Sequence, residues 1–249
     1  MLYEANRDLN NAYVDYRRAL AVAPSNLEVI KGTMRVAKRL GMRNDLNLLE
    51  KQYGKVKPLP SSKSRIIILE ERGVVDSLDS WKLSLPLYDS HGNSALYSVA
   101  LPYYGEKVSQ SFPALSLNGV KPESNLLADV DLMASQSLSE KLPSIIIRQA
   151  LRVWAKDVMR KSLTDEENIG NLLLNVWNTV TEQPDTRSWL TLPSQIYTSG
   201  LVVDPGLQTL SVGGQEYNFE LQAGNTALVW LSRQGAHATM WHKQLGKIK

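Results

Sequence analysis

Cysteine is absent from this chain of 249 residues, which contains only two phenylalanines and three histidines. The absence of cysteine excludes disulfides, thiolate metal ligands and a cysteine nucleophile, but such a chain is stable in either redox compartment. No apolar run approaches the roughly 20 residues of a membrane-spanning helix. Neither sign of charge dominates, because 28 Lys and Arg balance 25 Asp and Glu. The resulting net charge of +3 gives no argument for nucleic-acid binding.

The few candidates for chemistry do not form a catalytic or metal-binding pattern. His91 lies beside Ser90 and Asp89 in a predicted turn, and three adjacent residues do not converge as nucleophile, base and orienting acid. His237 and His242 are five positions apart in a predicted strand, so their rings point to opposite faces and lack further ligands. We therefore predict no catalytic residue, no metal ion, no cofactor and a protein that is not an enzyme.

Residues 1–54 are predicted to form a helical module, because their apolar residues recur at helical spacing. Within it, the positions that resemble the second half of a tetratricopeptide repeat (TPR) are Tyr3, Ala12, Tyr16, Ala19 and Pro24. In such a repeat, small residues let two helices cross closely, an aromatic residue packs beside them and proline marks the exit. The alternative is a generic helical hairpin.

The TPR resemblance departs from the usual pattern at Arg7, which stands where the repeat has glycine. In the same frame Tyr3 lies inside the first helix of its repeat, so much of that helix should precede Met1. One or two repeats do not bury their own faces. We therefore expect that the chain is truncated at its N-terminus and that further repeats or a targeting segment precede it.

Residues 55–64 are a predicted linker, since two prolines and three serines disfavour regular structure there. The charge also changes at this point, from a net +7 over residues 1–65 to a net −4 over residues 66–249. A basic module joined to a mildly acidic body is compatible with docking on an anionic partner or a membrane surface. An ordinary solvated helical surface has the same composition.

The body of the protein is predicted over residues 65–249, with strands in 65–104, helices in 125–181 and strands in 188–242. Three helices are expected: over 125–142, from Pro143 onward, and over 167–181, where the apolar spacing is most regular. Turn signals such as Asp204-Pro205-Gly206 separate the later strands. These strands are predicted at 188–192, 195–203, 208–212, 216–221, 226–231 and 238–242.

Strands followed by helices and then strands predict an α+β fold rather than alternating α/β. Short strands at regular spacing are typical of an antiparallel sandwich, and the hairpin around Pro205 and Gly206 resembles those of prealbumin-like or immunoglobulin-like modules. The predicted architecture is therefore a TPR-like helical module of residues 1–54, a linker of 55–64 and a sandwich-like body of 65–249 with a three-helix insertion.

A stripe of basic residues is the first surface candidate for function. The residues recur at four-residue steps on the predicted helix that begins at Pro143, and they are Arg148, Arg152, Lys156 and Arg160. Such a stripe can hold lipid headgroups, a glycan phosphate or an acidic protein face, although a solvated helix face shows the same pattern. We name it the candidate partner-binding stripe.

The segment 181–193 is the second surface candidate, because it is polar and contains several residues able to pair. Glu182 or Asp185 can bond to Arg187 and so hold the helix-to-strand junction beneath Trp189. We interpret these four residues as a structural lock, with a binding role as the alternative.

The order of these motifs resembles that of uncharacterised tetratricopeptide-containing lipoproteins of Gram-negative bacteria. The segments that carry the resemblance are NAYVDYRRAL (11–20), RLG (39–41), EKLPSIIIRQ (140–149) and TEQPDTRSWLTLP (181–193). The resemblance spans most of the chain. It implies an exported protein, in the periplasm and associated with the outer membrane, whose lipid-carrying cysteine and upstream repeats precede Met1. It implies no activity.

These observations together predict a non-enzymatic scaffold of the cell envelope that interacts with other proteins. Its helical groove would receive a partner segment, from an envelope or peptidoglycan-assembly component, while its body docks elsewhere. Nucleic acid is not an expected partner. Two other classes stay open: a carrier of a small ligand or lipid, with an apolar cavity inside the sandwich, and an envelope enzyme with a cleft between domains.

Overall fold

The computed structural model of the chain describes residues 1–88, 94–106, 110–163 and 185–248. This part of the chain combines helices with three separate sheets, in the α+β class that the sequence predicts. The helices are α1 (Leu2–Ala5), α2 (Leu9–Val22), α3 (Leu27–Arg39), α4 (Arg43–Tyr53) and α5 (Val130–Leu163). The strands are β1 (Ser64–Arg72), β2 (Leu78–Tyr88), β3 (Ser94–Tyr104), β4 (Leu115–Leu117), β5 (Asn125–Asp129), β6 (Gln195–Val203), β7 (Gly206–Val212), β8 (Gln215–Leu221), β9 (Thr226–Gln234) and β10 (His237–Gln244).

The starts of α2 and α3 follow from local side-chain chemistry. At the start of α2, the Asp8 carboxylate accepts a hydrogen bond of 3.2 Å from the backbone N–H of Asn11. At the start of α3, the side-chain oxygen of Asn26 accepts from two backbone N–H groups of the first turn. Both residue types satisfy donors that a helix leaves free at its N-terminus. Arg7, in the position of the repeat's glycine, has a φ of 64°, a left-handed conformation that favours glycine.

The largest sheet has five strands in the order β10-β9-β1-β6-β5. β1 lies at its centre, parallel to β9 and antiparallel to β6, so that Ile67 lies opposite Leu228 on one side and Gly200 on the other. This central position explains the continuous apolar run at the start of β1. The sequence predicted an antiparallel sandwich, but this sheet is mixed, since β1 and β9 pair in parallel. The alternation of apolar and polar residues does not encode strand direction, so the sequence did not show this pairing of two distant strands.

One face of this five-stranded sheet packs on the sheet β4-β7-β8 across a shared apolar core. Ile66, Ile68 and Leu231 of the larger sheet meet Leu210 and Leu221 of the smaller one, and all five are at most 1% exposed. Burying one such side chain contributes about 2 kcal/mol. The alternation of apolar and polar residues along β7 and β8 is therefore explained by one face in this core and one face outside it.

The other face of the five-stranded sheet carries the helical module. Gly200 of β6 makes the close approach possible, since a Cβ atom there would lie 2.2 Å from Cδ of Glu28 in α3. Leu127 of β5 packs against a cluster that contains Leu20 of α2 and Val29 of α3. Helices and two sheets thus stack as three layers, with the five-stranded sheet in the middle.

Asn26 joins the helical module to the edge of the sheet. It is fully buried, and its amide nitrogen lies 3.3 Å from the carbonyl oxygen of Asn125, 3.1 Å from that of Leu126 and 2.7 Å from the Thr198 hydroxyl. Its side-chain oxygen caps α3 at the same time. One side chain therefore stabilises both the start of a helix and its attachment to β5 and β6.

Tyr16 and Gly32 mark the close crossing of α2 and α3. A Cβ atom on Gly32 would lie 2.3 Å from Cε1 of Tyr16, well inside van der Waals contact. Ala12, which is fully buried, packs in the same cluster as Tyr16, Val36 and Ala37. The small residues thus lie where the two helix backbones come nearest.

Several predicted elements differ from the structure. Residues 125–129 form strand β5 rather than the first turns of a helix, because β6 offers an edge with which they pair. α5 continues through Pro143 as one helix of 34 residues. A proline at a helix start and one inside a helix share the same φ, so local sequence does not separate the two cases. Residues 188–192 lie in an irregular turn, and the predicted helix 167–181 lies outside the described residues.

The other segments predicted as strands coincide with β-strands. Residues 195–203 are β6, and the predicted strands at 208–212, 216–221, 226–231 and 238–242 fall within β7 to β10. Residues 65–104 contain β1, β2 and β3. Most of the predicted linker 55–64 has no regular structure, and its last residue begins β1.

The chain divides into two compact units that cut across the predicted domains. The first unit comprises Met1–Val74, Ser109–Val130 and Leu192–Lys249, and the second comprises Val75–Val108 and Asp131–Thr191. The helical module and the two facing sheets therefore belong to the first unit. In the second unit, the hairpin of β2 and β3 accompanies α5.

Candidate functional site

A buried ion-pair network in the helical module is the first candidate for a functional site. The fully buried Glu4 carboxylate accepts hydrogen bonds from Nε and Nη2 of Arg35, at 2.6 and 2.8 Å, and from the hydroxyl of Tyr16 at 3.0 Å. Burial raises the pKa of Glu4, but the hydrogen bonds and charge of Arg35 lower it by more, so its pKa lies below the ordinary value. The carboxylate is therefore ionised and fully engaged.

A second network surrounds Glu70 at the centre of β1. Its buried carboxylate accepts two hydrogen bonds of 2.8 Å from Arg72 and a further one from Arg233. Arg233 also donates to the carbonyl oxygen of Pro113, and the guanidinium of Arg72 lies 3.9 Å from the ring centre of Tyr197. Two arginines thus bond to one buried carboxylate, whose oxygens are occupied by structural partners.

Arg65 differs from these arginines in its surroundings. It is 9% exposed, its Nη2 lies 3.4 Å from the Thr226 hydroxyl, and its Nε has no hydrogen-bond partner among the described atoms. Burial, together with the charge of Arg35, lowers the pKa of Arg65 to about 10. The group stays protonated at neutral pH and makes this part of the sheet electropositive.

His242 is the histidine with the most defined surroundings in the described chain. Its Nδ1 lies 2.8 Å from the Tyr217 hydroxyl, and its ring stacks on Phe219 with a centroid separation of 4.5 Å. Burial lowers the pKa of His242 below its ordinary value. His242 lies in β10 and packs at one side of the shared core, where its ring faces aromatic groups rather than a nucleophile.

Metal binding finds no support in the described ranges. Within them, no three His, Asp or Glu side chains come together in a group that could hold a metal ion. A search of the same residues for a helix both long and apolar enough to cross a membrane finds none.

The five residues predicted to pack like a TPR have different surroundings. Ala12 and Tyr16 are buried between α2 and α3, and Ala19 is half-buried against a neighbouring cluster. Pro24 is exposed in the turn between these helices. Tyr3 is also exposed, on the outer side of α1. The first three residues thus take part in helix packing and the other two lie at the surface.

The candidate partner-binding stripe lies on α5. Arg148 and Arg152 are exposed, and neither forms an ion pair with another described residue. Lys156 is half-buried. The side chain of Arg160 lies outside the described part of the chain. The structure therefore places two free guanidinium groups one helical turn apart on this helix.

An exposed apolar face runs along α5 beside this stripe. Ile147, Leu151, Trp154 and Val158 are 62%, 58%, 66% and 48% exposed. Their spacing of four, three and four residues puts them on one side of the helix over about 16 Å. We call these four residues the α5 apolar face.

The opposite side of α5 faces the hairpin of β2 and β3. Gln149, which is buried, donates a hydrogen bond of 3.2 Å to the carbonyl oxygen of Ala100 in β3. Ala100 and its neighbour Ser98 are buried as well. Gln149 thus contacts the hairpin on the side of α5 opposite the α5 apolar face.

Of the predicted structural lock, the pair of Asp185 with Arg187 is present, but the cover by Trp189 is not. Arg187 makes two side-chain bonds to the Asp185 carboxylate, at 2.8 and 2.7 Å, and these bonds lower the pKa of Asp185 to about 2. Trp189, however, is 76% exposed and does not cover the pair. Glu182 lies outside the described residues. An exposed pair of this kind contributes little to stability.

The buried networks are the functional-looking residues that sequence analysis missed. Glu4 and Arg35 lie in different helices, and Glu70 and Arg233 are 163 positions apart. A charged residue on the buried side of a helix or strand is the one signal that points to such a pair. Comparison of the chain with protein-family models, curated proteins and solved structures finds no match.

Proposed function

We propose that this protein is a non-enzymatic scaffold of the cell envelope that holds partners through exposed surfaces. The observation that carries the proposal is the α5 apolar face, whose large side chains are exposed, whereas on the opposite side Gln149 is buried and Val153 is half-buried. Exposed apolar groups that form a continuous patch mark binding surfaces more often than scattered ones do. Arg148 and Arg152, which form no ion pair with another described residue, lie beside this face and add two positive charges to the surface.

The helical module is the proposed site for protein partners. Its exposed apolar residues include Leu2, Tyr3 and Val14, and residues 1–65 carry a net charge of +7. A helical repeat surface of this type receives a partner segment along its groove. The partner expected from the lipoprotein resemblance is an envelope or peptidoglycan-assembly component, and the expected location is the periplasmic side of the outer membrane.

The buried charges support a binding protein over an enzyme. The carboxylates of Glu4 and Glu70 each accept several hydrogen bonds from arginines, so their oxygens are already occupied. General acid–base catalysis needs a group that changes protonation near the working pH and reaches a substrate. An envelope enzyme is therefore the weaker candidate function.

A carrier of a small ligand or lipid is also weaker, because it needs a cavity between the sheets. Closely associated aliphatic side chains from both sheets occupy the described core there, among them Ile68, Leu210 and Val229. Binding at an outer surface needs no such cavity and agrees better with the exposed apolar residues.

Site-specific photo-crosslinking in cells tests the scaffold. A photoreactive amino acid replaces Val14 on the helical module, and Gln234, exposed on β9, serves as the matched control position. We expect a discrete protein adduct from position 14 and none from position 234. The same ladder of adducts from both positions, or no protein adduct from position 14, would contradict a specific scaffold.

A further inference from the structure

The α5 apolar face combines two properties that belong together at a lipid surface. Its side chains are aliphatic or indole, and Trp154 at 66% exposure is the largest of them. Residues 142–158 contain Arg148, Arg152 and Lys156 and one acidic residue, Asp157. A helix with Trp and aliphatic residues on one side and arginines beside them is typical of peptides that lie in the plane of a membrane surface.

The angular positions of these residues fit that orientation. Successive residues of a helix are separated by about 100°, so Ile147, Leu151, Trp154 and Val158 fall within about 60° of one another. Arg148 and Arg152 lie about 90° and about 130° from the centre of this face, both on the same side. Long arginine side chains at such positions keep their charge in water or at phosphate groups while their carbon stems lie along apolar surface.

We propose that the α5 apolar face docks on an anionic lipid surface, with Arg148 and Arg152 bound to headgroup phosphates. This inference rests on the proposed scaffold function and names what one of its surfaces binds. The apolar side chains enter the boundary between headgroups and acyl chains, and α5 lies parallel to the membrane plane. The hairpin of β2 and β3 lies on the side of α5 away from the lipid, where Gln149 contacts Ala100.

Charge separates the lipid surface from a second copy of the chain as the occupant. A second copy would bring the same arginines to the contact, and residues 142–158 of each copy carry three basic residues against one carboxylate, that of Asp157. Phosphate groups of anionic lipids supply the missing negative charge, and arginine binds phosphate in a bidentate manner. A single exposed helix would need a groove of complementary shape on a protein partner, whereas a fluid bilayer adapts to its shape.

Vesicle flotation of the purified 249-residue chain tests the proposal. The probes are vesicles of phosphatidylcholine alone and vesicles in which a third of the lipid is phosphatidylglycerol. We expect the chain to float with the anionic vesicles only, and to do so less at high salt because added ions screen the arginines. Equal binding to both vesicle types, or to neither, would overturn the proposal.

Two pairs of substitutions locate the binding surface. R148Q/R152Q should lower the vesicle partition coefficient about 30-fold, since each arginine near an anionic surface contributes about a fivefold factor. The matched control is R17Q/R18Q, which removes the same charge from exposed positions of α2. An equal loss in both variants would show that net charge alone attracts the chain and would contradict a site on α5.

The absence of cysteine allows a direct measurement of burial at the membrane. Leu151→Cys on the α5 apolar face and Asn10→Cys on α2 each provide one site for a polarity-sensitive dye. With anionic vesicles, we expect the emission to rise and shift to the blue for the dye at position 151 only. Blue-shifted emission at position 151 before vesicles are added would show that a second copy or residues 164–184 already cover the face, and would overturn the proposal.

The vesicle experiments and the crosslinking experiment can succeed or fail separately. Vesicle binding without a protein adduct from position 14 would contradict the scaffold while leaving the lipid surface intact. A protein adduct from position 14 without vesicle binding would contradict the lipid surface and leave the scaffold intact. A defined protein adduct from position 151 in cells, together with failure to float with anionic vesicles, would assign the α5 apolar face to a protein partner instead.

Discussion

The carboxylate of Glu4 and the guanidinium of Arg35 form a bidentate ion pair that joins α1 to α3, with N–O distances of 2.6 and 2.8 Å. The hydroxyl of Tyr16 in α2 donates to the same carboxylate. Three helices that share no backbone hydrogen bonds with one another are thus connected through one buried charge. The free energy that keeps the first residues of the chain in place should depend strongly on this carboxylate.

Glu4→Gln should lower the free energy of unfolding by about 3 kcal/mol, because it leaves the Arg35 guanidinium buried without a counter-charge. Chemical denaturation followed by circular dichroism measures the change. Asp185→Asn is the matched control, since its pair with Arg187 is just as short but exposed to solvent. The control should unfold like the parent chain, and an equal effect of the two substitutions would contradict the importance of burial.

The pH dependence of the Glu4→Gln effect follows from the lowered pKa of Glu4. A carboxyl whose pKa is lower in the folded chain stabilises it fully above the ordinary value of 4.5 and loses that contribution as pH falls through the folded value. The difference in unfolding free energy between the parent chain and Glu4→Gln should therefore be constant from pH 7 to about pH 5 and shrink below pH 4.5. A difference that grows in acid would show that the assigned sign is wrong.

Asn26→Ala should destabilise the chain by about 3 kcal/mol, because it removes a helix cap and leaves the backbone carbonyls of β5 without their buried donor. Asp8→Ala removes a cap of the same kind at the exposed start of α2 and should cost about 1 kcal/mol. Urea unfolding of both variants gives the comparison. Similar losses in the two variants would mean that the bonds from Asn26 to Asn125, Leu126 and Thr198 contribute nothing to stability.

Gly32→Ala should destabilise the helical module by about 1–3 kcal/mol, although alanine stabilises most helices relative to glycine. The added methyl would lie 2.3 Å from Cε1 of Tyr16, so α2 and α3 must move apart. Tyr16→Leu in the same chain should relieve part of this penalty, and a double-mutant cycle measures the coupling. Additive effects of the two substitutions would contradict the close crossing.

His242 should titrate below its ordinary value of 6.5, because burial disfavours the imidazolium. A lowered histidine pKa means that the folded chain is favoured above pH 6.5 and loses stability as pH falls through the folded pKa. The parent chain should thus lose stability relative to His242→Asn between pH 7 and pH 5. The NMR titration of the His242 ring gives its pKa directly, and a value above 6.5 would contradict the packing against Phe219.

Local patterns were sufficient for most of the elements. The helical spacing of apolar residues in 1–54 and the alternation in 195–242 predicted segments that the structure shows as α2 to α4 and β6 to β10. At 125–129, by contrast, the apolar spacing fits a helix as well as a strand. The edge of β6 decided between them, and that edge is formed by residues 70 positions away.

For the surface of α5, too, the sequence predicted the local arrangement of residues but not which side of the helix is exposed. The four-residue spacing of Arg148, Arg152 and Lys156 placed them on one helix and on neighbouring turns. The spacing did not show which side of α5 faces solvent, because apolar residues surround the helix on more than one side. The tertiary structure shows it, because Gln149 contacts the hairpin of β2 and β3 while the α5 apolar face is exposed.

Periodicity, turn residues and the absence of cysteine already specify the α+β class, the positions of most strands and a fold without disulfides. These properties depend on neighbours in sequence, whose backbone preferences and hydrophobic pattern act over one or two turns. The parallel pairing of β1 with β9, the Glu70–Arg233 contact and the outward α5 apolar face arise from packing between distant segments. Such contacts cannot be predicted from the neighbours of either residue in sequence, because they stabilise the chain only once the two distant segments have packed together.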